Sequence, residues 1–354
     1  MRASTAPTAS TILALVVIAG GTANATAFVG ATQSVRLPPA SAPAPNQLRA
    51  EYRRPATIPF PPDNPYTPEK ALLGRTLFHD TRLSAPGALS CASCHNAGFS
   101  YGDGLPASLG NGMKPLARRS PTILNSAWGE LYMWDGRAAS LEAQALGPIT
   151  TPAEMNQALD QLPAVLSSIR DYKPLFAAAF PRQAITPDRI AQAIATYERT
   201  ILSAPAPFDA WIEGDTSAIP ASAQRGFALF NGSARCALCH TGWRFTDDGF
   251  HDIGLPDADQ GRGRLLPRII KMRHAFKTPG LREIALRGPY MHDGSLATLD
   301  AVVAHYNRGG TDRPSRSELI GPLGLSAREQ ADIVAFLRTL TGAASPEIVA
   351  ALPR

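Results

Sequence analysis

The sequence predicts a mostly α-helical protein of two related domains in tandem, behind an export signal and a proline-rich tail. Three observations carry this reading. Short motifs recur in the same order in the two halves, cap residues open the segments that recur, and the first 66 residues share neither feature. A chain of 354 residues has room for two domains of ordinary size, each burying its own core. Its 44% hydrophobic content fits a globular protein, neither disordered nor membrane-embedded.

Residues 1–25 read as a secretory signal. Arg2 gives a short positive start, Ile12 to Ala19 an apolar run, and Ala23-Asn24-Ala25 the small residues of a cleavage site near Ala25, with Ala25-Thr26-Ala27 as a second place to cut. An uncleaved membrane anchor is the competing reading, but the run is far shorter than the roughly 20 residues that cross a bilayer. No later segment is long and apolar enough to span. The expectation is a periplasmic protein. Residues 26–66 are rich in Pro, Ala and Ser, as in Leu37-Pro38-Pro39-Ala40 and Ile58-Pro59-Phe60-Pro61-Pro62, and form an extended tail on or off the first domain. The net charge of +5 comes mostly from scattered arginines. Without a basic stripe interleaved with aromatics, nucleic acid is excluded as a partner, whereas an acidic protein partner fits ordinary steering.

The chain has four cysteines, all inside Cys91-Ala92-Ser93-Cys94-His95 and Cys236-Ala237-Leu238-Cys239-His240. Export alone would suggest two disulfides. The spacing argues for covalent haem instead. Two thiols three positions apart each form a thioether to one haem vinyl group, and the following His falls under the iron. Zinc and disulfides are the competing readings. Two c-type haems are thus expected on Cys91, Cys94, Cys236 and Cys239, with His95 and His240 as proximal ligands.

The domains are expected at 67–205 and 206–345, with a tail at 346–354. Order begins at Thr67-Pro68-Glu69, an N-cap followed by proline at the first helical position. Gly74 to Phe78 is echoed by Gly226 to Phe230, each pair ahead of its CxxCH. Tyr132-Met133-Trp134-Asp135-Gly136 returns 158 residues later as Tyr290-Met291-His292-Asp293-Gly294, Ala139 to Ala143 as Ala297 to Ala301, and Pro121 as Pro279. Ile194 to Ile201 and Ile333 to Leu340 close the halves as amphipathic helices. The first follows Thr186-Pro187; the second opens on a capping box, Ser326 and Glu329, and stops at Gly342. Each half therefore runs helix, CxxCH, loop, Asp-Gly turn, helix, closing helix, which makes two cytochrome-c-like haem domains in tandem. The boundary falls between Leu202 and Ser222, where Pro205, Pro207, Gly214 and Pro220 interrupt the helices.

The function of a haem iron turns on its sixth position. Two strong ligands make an electron carrier, whereas an open site binds peroxide or oxygen. The second-half helix after Asp-Gly ends at His305-Tyr306, and subtracting 158 from Tyr306 gives Pro148, which has no donor side chain. If Tyr306 faces the second iron, its counterpart leaves the first iron open. Beside that opening stand Gln144, suited to hydrogen-bonding a bound oxygen ligand, and Glu154, suited to moving a proton between peroxide oxygens. Spacing alone leaves other readings in place. Gln144 fits a helix surface, Glu154 a first helical turn, and Trp134 the core of its turn. Met291, Met272, His274, His292 and His305 compete with Tyr306.

With the two CxxCH motifs, Met133-Trp134-Asp135-Gly136-Arg137, Gly147-Pro148-Ile149, Glu154-Met155 and Pro289-Tyr290-Met291-His292-Asp293-Gly294 together, residues 66 to 345 resemble the bacterial di-haem cytochrome c peroxidase and MauG family. The resemblance implies that the first haem binds peroxide, with Gln144, Pro148 and Glu154 in its distal pocket, and that Trp134 relays electrons between haems. It implies a six-coordinate second haem whose sixth ligand stands at Tyr306, where the peroxidases carry Met and the MauG branch Tyr.

Three departures stand out. The His that blocks the first iron in peroxidases needing reductive activation is replaced by Asn111, so the oxidised protein is expected to be open. The family's inter-haem calcium uses an Asn and a Thr where this chain has Arg119 and Arg287. Calcium prefers neutral and anionic oxygens, so the calcium site is doubtful, and Arg119 is a candidate contact for a haem propionate. A surface aromatic ahead of the second CxxCH is replaced by Ala234, leaving Trp243 or Trp211 as substitutes.

The expected activity follows. Hydrogen peroxide generates high-valent haem with the help of Glu154 and Gln144, the two oxidising equivalents are shared through Trp134, and a residue on a partner protein is oxidised, as in MauG. The alternative is a conventional peroxidase fed by a small cytochrome c or cupredoxin. A third reading, a non-enzymatic di-haem carrier, needs Met113 or His79 to reach the first iron.

Overall fold

In the computed structural model, which describes residues 50–343 and 351–354, three helices start at the caps read from the sequence, Thr67, Thr186 and Ser326. Thr67 accepts from the Lys70 amide and Pro68 occupies the first turn of α1 (Pro68–Phe78). Short α2 (Cys91–Cys94) carries the first cysteine pair. Ser140 caps α3 (Leu141–Thr150), which holds Pro148 inside. Then come α4 (Leu162–Ser168), α5 (Tyr172–Ala179) and the Thr186-capped α6 (Pro187–Arg199). The second half runs α7 (Pro207–Glu213), α8 (Ala221–Asn231), the Thr298-capped α9 (Leu299–Arg308) and α10 (Ala327–Arg338), which opens on the expected capping box. A two-residue ribbon, β1 (Phe250–His251) against β2 (Phe276–Lys277), is antiparallel and pairs Phe250 with Lys277.

The repeat in sequence is a repeat in packing. A Cβ on Gly74 would lie 1.8 Å from the Ala193 carbonyl oxygen, and one on Gly226 would lie 1.9 Å from that of Asp332. Only glycine lets α1 close on α6, and α8 on α10, to that distance. The Asp-Gly turns also match. Met133 and Met291 adopt φ of 70° and 71°, and Tyr132 bridges Ala138 as Tyr290 bridges Leu296. The tyrosine hydroxyls donate to the Ser126 and Ile284 carbonyls, again 158 residues apart.

Each half gathers its own apolar cluster. Leu73, Leu77, Phe78, Ile190 and Ile194 anchor the first, and Phe208, Phe230, Phe245, Phe336 and Leu340 the second. A side chain such as Leu73 contributes about 1.5–3 kcal/mol by its burial. Both clusters belong to one compact unit, residues 41–354. No described helix is long and apolar enough to cross a membrane.

The tail departs from expectation. Residues 1–49 lie outside the described part, as do 344–350, so the signal and most of both tails are not seen. Residues 52–54, however, reach the second half and the segment leading into it. Tyr52 is 1% exposed, ringed by Phe208, Phe227 and Phe245, and Arg54 bonds Asp209 and the Ser203 and Ala204 carbonyls. The reason is the aromatic ring itself, which finds its largest apolar contact there. Asn64 then returns the chain to the first half, bonding Glu142, Lys70 and the Gln192 carbonyl.

Candidate functional site

Each CxxCH ends in an imidazole oriented by backbone. The His95 and His240 amides donate to the Cys91 and Cys236 carbonyls. Their Nδ1 atoms meet the Tyr101 and Phe245 carbonyl oxygens at 3.1 and 2.9 Å. Nδ1 is thereby engaged as a donor and Nε2 is free to bind a metal. Burial lowers the pKa of both imidazoles, favouring the neutral, ligating form.

Cys91, Cys94 and His95 line a cavity of about 700 Å³, whose walls also carry Trp134, Gln144, Pro148 and Glu154. Cys236, Cys239 and His240 line a second, of about 190 Å³, with Met291, His292 and Tyr306 on its walls. Two thiols and a neutral imidazole on one apolar wall are the donor set a covalently held haem requires, so the residues fit the group at both sites. Trp134 lines both cavities. Its indole N–H donates to the Arg119 carbonyl, its own carbonyl accepts from the Lys277 amide, and its ring meets the His292 ring edge-on at 6.4 Å.

The first cavity brings the expected distal residues together. The Gln144 Oε1 is buried without a hydrogen-bond partner, an acceptor left for something in the cavity. Burial raises the Glu154 carboxyl above its ordinary pKa, with Arg137 opposing in part, so it can hold a proton nearer neutrality. Asn111 is on neither wall; its amide donates to the Ala153 carbonyl and its side chain to that of Pro152. At the second cavity, Tyr306 sits near the Cys236 and Cys239 thiols, and burial pushes its phenol well above the usual value. Binding as tyrosinate would need a metal to displace that proton.

Several rivals are placed elsewhere. The His305 ring bonds the Ile253 carbonyl, and His274 bonds the Asp259 carbonyl. Met272 lines neither cavity. His292 lines the second cavity, stacked on Phe276 at 3.6 Å, and Met291 lines both. The carrier reading loses its ligands, because Met113 is 66% exposed and His79 is turned to the Arg75 carbonyl. Trp211 packs on Phe208 and Phe227, whereas Trp243 meets Trp128 edge-on at 4.8 Å. Ala234 is buried on the second wall.

Calcium does not fit. At its expected place Arg119 Nη1 donates to the Arg287 carbonyl oxygen at 2.9 Å, so a guanidinium already holds an oxygen that a cation would need. Sequence reasoning missed Glu198, a buried carboxylic acid on the first cavity wall. The signal was present as one acid on the apolar face of α6. The Tyr101 and Phe245 carbonyls had no signal, since a backbone acceptor is independent of residue type.

The sequence model of the di-haem cytochrome c peroxidase family matches residues 68–217, and that of cytochrome c matches residues 223–341. Over 296 residues the chain is 53% identical to the methylamine utilization protein MauG of Methylorubrum extorquens, covering 83% of this chain and 84% of the relative. It is 36% identical to the cytochrome c551 peroxidase of Nitrosomonas europaea, covering 81% and 85%. Among solved structures, a MauG-like protein associated with microbial copper homeostasis superposes with a TM-score of 0.75 at 34% identity, covering 81% and 94%.

Proposed function

The chain belongs to the di-haem cytochrome c peroxidase and MauG family, and on that premise we propose how its two halves divide the work. It is a MauG-like, peroxide-dependent oxidoreductase with two c-type haems, acting with hydrogen peroxide and a protein partner. The partner is a protein whose own residue is oxidised, and we assign it to the use for which the 53% identical relative is named, methylamine utilization. Residues 1–25 direct the chain to the periplasm.

Cys91 and Cys94 would hold the first haem and Cys236 and Cys239 the second by thioether bonds, and Nε2 of His95 and His240 would supply a ligand to each iron. Haem at the first site supplies an iron that binds hydrogen peroxide and draws two oxidising equivalents from it. Pro148 has no donor side chain and so would contribute no ligand to an iron there. Glu154 would take and return a proton between the two peroxide oxygens, and the Gln144 amide would hydrogen-bond the peroxide. Peroxide takes up two electrons and two protons and leaves as two waters, the electrons coming from the partner. Trp134 joins the two sites, and the Tyr306 oxygen would be a second protein ligand for the haem held with His240, where an anionic oxygen would favour higher oxidation states of the metal.

The observation that carries this reading is that Pro148 and Tyr306 hold the same place in α3 and α9, each on the wall of its own cavity. Mixing the fully oxidised holoprotein with one equivalent of hydrogen peroxide tests it. A fast change in absorption at both haems is expected. Inertness until half-reduction would show a hidden ligand at the first iron and favour the second reading, a peroxidase drawing electrons from a small cytochrome or cupredoxin, which the likeness to the cytochrome c551 peroxidase supports.

A further inference from the structure

Two arginines from opposite halves meet at the joint, Arg119 at 7% and Arg287 at 8% exposure. Besides the contact already described, Arg287 Nη2 donates to the Gly280 carbonyl. The Nε atoms of both are buried without a partner. No ion pair joins either to a carboxylate among the described residues. The charged or titratable groups that face them are Asp103 and Tyr290 for Arg119, and Glu283 and Tyr290 for Arg287, which also faces His240. Burial and the neighbouring Arg119 pull the Arg287 guanidinium down to about 10, which still leaves it charged at neutral pH.

Two like charges buried together, with Asp103 and Glu283 near but in no ion pair with them, oppose folding, and removal from water costs each of them heavily. Such a pair is retained where an anion completes it. Both side chains line the cavity that holds Cys94 and His95, so the anion must arrive from within that cavity. Peroxide is neutral and cannot serve. The planar forks of two guanidiniums match carboxylates, and the carboxylates brought by a haem are its propionates.

We propose that Arg119 and Arg287 form a carboxylate clamp at the joint, which binds haem propionate and supplies, as a fixed part of the chain, positive charge that a dissociable cation would otherwise bring. The proposal rests on the two-haem reading above. It makes the holoprotein independent of added cations, and it makes the first haem easier to reduce, because a fixed positive charge favours the less positive iron.

The test uses holoprotein as purified, with haem content measured first. Fewer than two haems per chain in the wild type would sink the two-haem reading, whatever the arginines do. With two haems present, elemental analysis should find no stoichiometric calcium, and EDTA should leave both haem spectra unchanged. Spectroelectrochemistry of Arg119→Gln and Arg287→Gln should show the first haem's potential shifted downward with haem content retained. Arg287→Lys keeps the charge and should stay close to the wild type, which separates charge from packing and supplies a milder variant if Arg287→Gln does not fold. One stoichiometric calcium, or equal shifts in Arg287→Lys and Arg287→Gln, or no shift in either glutamine variant, would overturn the clamp.

Discussion

The two halves share a frame and differ where their frames meet a cavity. In both, a glycine seats the first helix on the last, a left-handed Met opens the Asp-Gly turn, and a backbone carbonyl orients the CxxCH histidine. On the helix after the turn, Gln144 and Pro148 of the first half stand where the second has Val302 and Tyr306, all four on cavity walls. On the closing helix, Glu198 stands where the second half has Leu337, each again on its wall. Trp134 answers His292 across the joint. The duplicated scaffold thus differs at a few wall positions, with Gln144 and Glu198 polar where Val302 and Leu337 are apolar, and Pro148 without a donor where Tyr306 carries a hydroxyl.

The comparison breaks hardest at Glu154. Its replacement by Gln keeps the shape and removes the proton carrier, so peroxide cleavage in stopped-flow should slow by roughly 10²–10⁴-fold with haem content unchanged. An unaltered rate would remove Glu154 from the mechanism and erase the main difference between the sites.

Importing the second half's residue at Glu198 comes next. Burial raises this carboxyl to about 8, opposed by Arg199 and aided by Glu142. Between its ordinary value and about 8 the unfolded chain has released the proton that the folded chain still holds. The side chain therefore carries no cost of ionisation at low pH and destabilises progressively as pH rises through that window. Glu198→Leu should gain about 2–4 kcal/mol over the wild type at pH 9 relative to pH 5. Denaturant titrations at both pH values decide this, and a gain that does not change with pH would mean packing alone.

Gly74→Ala and Gly226→Ala probe what the halves have in common. Each should destabilise by about 1–3 kcal/mol through overpacking, read as a fall in Tm, and the two costs should be alike. A neutral result at one glycine only would mean that the helix pairs are not equivalent. The smallest effect is expected from Gln144→Val, which copies Val302. Loss of one neutral hydrogen bond, about 0.5–1.5 kcal/mol, should slow the peroxide reaction about tenfold or less.

Much of this was legible because the chain states its plan twice. The offset linking Tyr306 to Pro148 also carries Ser140 to Thr298 and Met133 to Met291, so a cap, a strained turn and a cavity-wall position reinforce one another. What lacked a second copy was hard to read. Helices α4 and α5 have no counterpart in the second half, and both are too short for a clear period. Asn111 was legible as a replaced residue, but its engagement with Pro152 and Ala153 was not, because those partners lie some forty residues away. Arg119 and Arg287 were recognisable as unfit for a cation, yet their shared burial and orphaned Nε atoms emerge only in three dimensions.

Tyr52 carries a consequence for how the molecule is put together. Its ring fills a place among Phe208, Phe227 and Phe245, residues made more than 150 positions later. The second core therefore cannot be completed by the second half alone; it takes in a side chain from far earlier in the chain. A fragment started at residue 206 would emerge with a hole at its centre, and a short peptide spanning Tyr52 and Arg54, added from outside, should restore it.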